Sequence, residues 1–278
     1  MEHFLRNYEA YLRQQQKEEK TIRMYLHETG HFLLYLKKQQ KSLRQLEKSD
    51  LLQYRDELLR KEMKVSTINK SISTLSSFFR WACQNGYIRE NFASQLRFHQ
   101  EQSFSANWLS KEQEQLLLKA AAKERNPFKK ARNEALLAVM LYAGLRIEEV
   151  SKLHTYSIKN DYLLIVNQVN ISREIPLCSK AKEKIQAWMK VRKRLKKKMY
   201  LESTYLFVTE RSGQMQPRAI QYVVKAYSKR LGFLVTCQML RNTFCRRLVE
   251  NGKTPEEVQM LAGHKSISTS YKYFDFRG

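Results

Sequence analysis

Apolar side chains recur at helical spacing through the first hundred residues. Ile22, Tyr25, Leu26, Thr29, Leu33 and Leu36 repeat with a period near 3.6 behind Thr21, a candidate N-cap. A second helix is predicted from Ser49 through Leu52, Leu58 and Leu59. In a third, Ile68, Ile72, Leu75, Phe79 and Ala82 fall on one face, while Lys70, Ser73, Ser77, Arg80 and Gln84 fall on the other, until Asn85-Gly86 ends it. That polar face offers hydroxyls and cations without a carboxylate. It suits phosphate contact along a DNA groove, and it equally suits a solvated helix face. From Arg97 to Asn107 the sequence RFHQEQSFSAN loses periodicity and turns polar, as an exposed linker does. The expected division is a helical domain over 1–97, a linker over 98–107 and a second domain over 108–278.

Beyond the linker the punctuation is sharper. Ser110 and Gln113 form a capping box, and a helix is predicted from Pro127 to Tyr142 with Gly144 after its end. Tyr162–Val166 and Arg173–Leu177 flank the turn NQVNIS and read as a β-hairpin, with Tyr205–Val208 as a further strand. Helices follow at Lys180–Lys198, Arg218–Leu231, Met239–Glu250 and Pro255–Leu261, the last with Thr254 as N-cap, Pro255 at its first position and Glu257 closing a capping box. The expected fold class is mainly α with a small β-sheet: a helical N-terminal domain followed by an α+β domain.

Charge narrows the partners. Lys and Arg number 51 against 27 acidic residues, a net charge of +24, which calls for a polyanion. The cations recur from Arg6 to Arg277 and are not gathered beside an apolar span, so nucleic acid is expected and a membrane is not. The most apolar stretch, Ala135–Leu145, is about half of the roughly 20 residues a spanning helix needs, and no apolar signal segment opens the chain. A cytosolic protein is expected. Cys83, Cys178, Cys237 and Cys245 form no C-x-x-C pair and read as reduced core thiols, with no metal implied. The run KVRKRLKKK, Lys190–Lys198, places seven cations in nine residues, either to attract phosphates or as a solvated helix end favoured by the dipole.

An ordered set in the second domain carries candidate chemistry: AGLRIEEVSKL with Arg146 and Glu149, QMLRNTF with Arg241, LAGHKSIS with His264, and SYKYF with Tyr273. Attack on a phosphodiester builds charge on its nonbridging oxygens, and two guanidinium groups clamp that charge with permanently protonated, bidentate donors. Arg146 and Arg241 fit that task. Tyr273 supplies a hydroxyl nucleophile, His264 donates a hydrogen bond or handles a proton, and Glu149 orients His264 or a guanidinium. No metal, nucleotide or other cofactor is needed.

The order and spacing of GLRIEEV, MLRNTF and LAGH, with Tyr273 nine residues after His264, resemble the catalytic domain of the tyrosine recombinase (phage integrase) family. The stretch STINKSISTLSSFFRWACQNGYI resembles that family's core-binding domain, so the resemblance spans nearly the whole chain. It implies a two-domain, Xer-like or resolvase-like recombinase that clamps duplex DNA at specific sites. Four protomers would hold two sites and exchange strands through 3′-phosphotyrosine links. Two departures stand out. The family's His three residues before the second Arg is here Gln238, and its hairpin Lys, the general acid, has Gln168 near the expected place. That leaves the acid unassigned, with Lys159 and Arg173 as the nearest cations. The chain ends five residues after Tyr273, where family members commonly continue into a helix that docks on a neighbour, so that exchange stays open. Alternatives are a type IB topoisomerase with the same chemistry, and a DNA-binding architectural or regulatory protein with a decayed site.

Overall fold

The computed structural model describes residues 2–95, 107–166 and 171–274, arranged as two compact units, 1–103 and 104–278. The predicted linker, apart from Asn107, and the hairpin turn with Gln168 lie outside the described residues.

The first unit is helical: α1 (Glu2–Gln14), α2 (Glu19–Lys38), α3 (Lys48–Arg60) and α4 (Val65–Gln84). Helix α1 repeats Phe4, Leu5, Tyr8, Tyr11 and Leu12 at helical spacing, a signal the sequence reading did not use. Helix α2 starts earlier than expected, with Glu18 at its N-cap, so Thr21 is inside the helix rather than capping it. The predicted apolar face of α4 is buried throughout, and Asn85 caps it ahead of Gly86 at φ +70°. The core is aromatic. Phe32 meets Tyr54 and Phe79 edge to face, and Tyr8 meets Phe78 in the same way.

The second unit is built around one helix. After α5 (Lys111–Ala122), capped by Ser110 with Gln113, α6 (Pro127–Tyr142) runs through the core with Ala135–Leu141 fully buried. The most apolar stretch of the sequence is therefore the core of a folded domain. No helix among the described residues is long and apolar enough to cross a membrane. A short α7 (Ile147–Ser151) leads to strands β1 (Tyr162–Val166) and β2 (Ile171–Pro176), which pair antiparallel with Leu163 opposite Ile175 and Ile165 opposite Arg173. Next come α8 (Ser179–Lys193), α9 (Lys198–Leu201), α10 (Pro217–Leu231), α11 (Cys237–Glu250), α12 (Pro255–Ala262) and α13 (Ile267–Tyr271).

Three expectations need correction. Tyr205–Val208 is not a strand; Tyr205 makes a single bridge to His154, and Leu206, Phe207 and Val208 are apolar because they pack in the core. The helix predicted over Lys180–Lys198 stops at Lys193, and the rest of the cationic run continues to a separate short helix, as mutual repulsion among its charges favours. Cys178 is exposed at the N-cap of α8, so the cysteines are not all core thiols.

Gly144 follows α6 at φ +59°, and a Cβ there would overlap the Phe244 ring of α11. Left-handed strain and steric overlap should together make Gly144→Ala less stable by about 2–5 kcal/mol, read from urea denaturation beside the wild type.

Candidate active site

Helix α12 ends at Gly263 with φ +66°, and this left-handed turn swings His264 off the helix axis. A helix leaves its last carbonyls without intrahelical partners, at the negative end of its dipole. Here three successive carbonyls take guanidinium donors. Arg173 Nε donates to Leu261 O at 3.0 Å, Arg241 Nη2 donates to Ala262 O at 2.5 Å, and Arg146 Nη2 donates to Gly263 O. Arg241 Nη1 also donates to Gly144 O, tying the end of α6 to the same point. One helix terminus thus collects cations from β2, from α11 and from the N-cap of α7.

Glu149 holds two of them. Its carboxylate accepts from Arg173 at 2.8 and 3.0 Å, from Arg146 Nη1 at 3.1 Å and from the Arg146 backbone N–H at 2.7 Å. Burial works to raise the Glu149 carboxyl, but the Arg173 bonds and charge, backed by Arg146, outweigh it and hold the group below the usual carboxylate range. Glu149 therefore orients guanidinium groups and not His264. Arg173 is engaged by Glu149 on one side and by the Leu261 carbonyl on the other. Lys159 is exposed before the hairpin.

His264 is placed by other neighbours. Its Nδ1 lies 2.9 Å from Ser270 Oγ, its Nε2 lies 4.0 Å from Cys245 Sγ, and its ring stacks on Tyr273 at 5.9 Å between centroids with 9° between planes. Burial, followed by the charges of Arg241, Arg146 and Arg173, pulls its pKa down to about 4. At neutral pH it is an uncharged ring. Burial likewise lowers Arg241, only 3% exposed, with Arg146 the next cause.

Tyr273 is 4% exposed and donates its hydroxyl to Asn242 Oδ1 at 2.8 Å, whereas Tyr271 is 52% exposed. Burial, with Cys245 next, lifts the Tyr273 phenol well above its ordinary value. Gln238 donates to the same Asn242 oxygen at 2.8 Å. Arg146, Gln238, Arg241, His264 and Tyr273 all line one cleft of roughly 850 Å³, beside Lys225 of α10. Every catalytic candidate read from the sequence meets there, with Glu149 bonded to Arg146 and to Arg173.

On α4 of the first unit, Lys70, Ser73 and Arg80 are exposed. Ser77 is not free for a ligand in the same way: it is half-buried and accepts the Tyr8 hydroxyl at 3.1 Å. Two neighbours of the cleft are not placed by the sequence: Arg173 stands only as a cation near the unassigned acid, and Asn242 is not singled out. Arg173 shares the inward face of β2 with Ile175, and a cation on the buried face of a strand demands a partner. Asn242 sits beside Arg241 in QMLRNTF, yet nothing local marks it.

The sequence profile of the phage integrase family matches residues 107–277, and that of the phage integrase N-terminal SAM-like domain matches residues 5–86. The chain belongs to the phage integrase family. Curated relatives of this integrase include tyrosine recombinase XerC of Anoxybacillus flavithermus, 27% identical over 92% of this chain and 86% of that protein. Another is tyrosine recombinase XerA of Thermococcus onnurineus, 27% identical over 97% and 89%. Among solved structures, the Tn1549 transposon integrase in complex with circular intermediate DNA superposes with TM-score 0.78 at 20% identity, covering 99% of this chain and 96% of that one. A lambda integrase dimer bound to a COC′ core site gives 0.75 at 19%, covering 100% and 96%. The integrase fold is thus shared at low identity.

Two outcomes follow from the geometry of this integrase. Arg173→Met leaves the buried Glu149 carboxylate short of its main partner and should cost about 3–5 kcal/mol of stability, measured by urea denaturation. For His264, the native ring titrates at about 4 and the unfolded ring near 6.5. Between those values the unfolded chain binds a proton that the native chain does not, so acidification removes stability, up to about 3 kcal/mol from this one group. His264→Asn should lose less stability than the wild type between about pH 7 and about pH 4.5 in urea melts.

Proposed function

We propose that the chain is a site-specific DNA recombinase that cleaves and rejoins duplex DNA through a 3′-phosphotyrosine bond, with Tyr273 as nucleophile. The carrying observation is the meeting of two arginines, an uncharged histidine and a buried tyrosine around one cleft. Arg146 and Arg241 would grip the nonbridging oxygens of the scissile phosphate, their remaining donors held in register by the α12 carbonyls. The Tyr273 oxygen attacks phosphorus, the bond to O5′ breaks, and the freed O5′ takes up a proton. Rejoining reverses these steps. His264, neutral when it meets the phosphate, donates a hydrogen bond through its one N–H, and Gln238 adds an amide donor without acid or base function. No cofactor is called for.

In this reading residues 1–97 bind the core site, 98–107 link, and 108–278 catalyse. The exposed Lys70, Ser73 and Arg80 of α4 contact phosphates on the DNA. Xer-type relatives, and integrases solved with DNA, support this direction. Four protomers on two sites are the working assembly, and the cytoplasm or nucleoid is the place of action. Both arginines, His264 and Tyr273 are retained in one cleft, which speaks against a decayed binding protein.

The deciding experiment incubates the protein with nicked duplexes of candidate core sites and scores a denaturation-resistant protein–DNA adduct. Tyr273→Phe should bind but form no adduct, while Tyr271→Phe should form it largely as wild type. An adduct from Tyr273→Phe sinks the assignment. Gln238→Ala should slow cleavage by roughly 10²-fold to 10³-fold with binding retained. In a salt series, Arg80→Ala should weaken binding and flatten the salt slope, because fewer condensed counterions are released; an unchanged slope would place α4 away from DNA.

A further inference from the structure

Asn242 touches both the Tyr273 hydroxyl and Gln238, and neither contact belongs to the clamp described above. Its orientation is fixed by chemistry. Asn242 Nδ2 donates to the backbone carbonyl of Asn107 at 2.9 Å, and a carbonyl can only accept, so that end of the amide is the nitrogen. The other end, Oδ1, then faces Gln238 Nε2 and the Tyr273 hydroxyl, both at 2.8 Å. Flipping the amide would set oxygen against oxygen at Asn107 and lose the Gln238 bond. The same segment also holds the Tyr273 backbone: Arg246, one turn further along α11, donates to Tyr273 O at 3.0 Å and lies over the Trp108 ring at 5.1 Å.

A tyrosine hydroxyl that donates to a carbonyl oxygen is held in its protonated form, since a phenolate there would face a lone pair. The proton it donates is the one that leaves when the oxygen attacks phosphorus, and the resulting ester has no hydrogen to give back. We propose that Asn242 is a positioning residue that parks the Tyr273 hydroxyl in its protonated state, so that this hydrogen bond is broken before the nucleophile attacks. The bond stabilises the free enzyme and is absent from the covalent state, so Asn242 opposes adduct formation. In the attack the phenolic proton passes from Oη to solvent water, the Oη–P bond forms, the P–O5′ bond breaks with its electron pair on O5′, and O5′ takes one proton from solvent, so that no proton is gained or lost overall.

This inference rests on Tyr273 being the nucleophile, and the experiment separates the two claims. The single-turnover rate of adduct formation on a nicked core-site duplex is measured across a pH series for wild type, Asn242→Ala, Asn242→Asp and Tyr273→Phe. Removing one ordinary hydrogen bond, Asn242→Ala should accelerate attack by roughly two- to tenfold and move the rising alkaline limb to lower pH by about half to one unit. Asn242→Asp presents an anionic acceptor to the same hydroxyl, and should slow attack and move the limb to higher pH. Opposite shifts from two substitutions at one position are not what a merely structural residue gives. If Asn242→Ala fails to fold, the aspartate variant still decides: an unchanged or faster rate overturns the parking role. An unmoved alkaline limb in a folded Asn242→Ala overturns it as well. An adduct from Tyr273→Phe overturns instead the choice of nucleophile.

Discussion

The active cleft depends on the C-terminus of one eight-residue helix. Unpaired carbonyls at a helix end attract cations, and α12 presents Leu261, Ala262 and Gly263 to Arg173, Arg241 and Arg146 in turn. These arginines come from segments far apart in sequence, so the contact fixes a strand, a long helix and a helix start against one another. Gly263 makes it feasible: a Cβ there would lie 2.7 Å from Arg173 Nη1, and the left-handed turn delivers His264 to the same place.

Such an arrangement is electrostatically incomplete. Three guanidinium groups converge on helix carbonyls and a single carboxylate, Glu149, in a partly buried setting where like charges repel strongly. The lowered pKa values of Arg241 and His264 record that repulsion, added to the larger effect of burial. Under the proposed function a phosphate diester, and still more the charge that develops on its oxygens during attack, would supply the missing negative charge. The resting protein thus holds, as unbalanced positive potential, the interaction that strengthens as the reaction proceeds.

Local punctuation made most of the elements legible in the sequence. Pro127, Thr254, Pro255 and Glu257 mark helix starts through steric and hydrogen-bonding rules that act within a few residues, and those starts lie where expected. The cleft residues were legible for a different reason: phosphoryl transfer restricts the residue types, and their order along the chain narrowed the choice. What escaped was non-local. Tyr205–Val208 has strand-like composition because it is buried, and only the packed domain shows that it lacks a strand partner beyond the His154 bridge. Ser77 looked like a member of the ligand face until Tyr8, from a helix the periodicity reading passed over, claimed its hydroxyl. Asn242 could not be singled out because its meaning lies in Asn107 and Tyr273, far from it in sequence.

The two proton-bearing groups of the cleft rest uncharged for related reasons. Tyr273 is desolvated, and so is His264, which three cations depress further. An isolated phenolate or imidazolium in this setting would carry a desolvation cost that nothing in the free protein offsets. An anion gripped between Arg146 and Arg241 would weaken the smaller of the two effects that keep the His264 ring neutral, since it offsets the charges added to burial, and would offer an acceptor for its proton. The same anion would offset the Arg241 charge that works to lower the Tyr273 phenol, while the hydroxyl still donates to the neutral Asn242 carbonyl. Under the proposed function the clamped phosphate would act on both groups through the charge of Arg241, whereas Tyr273 alone would also have to release its bond to Asn242 before attack.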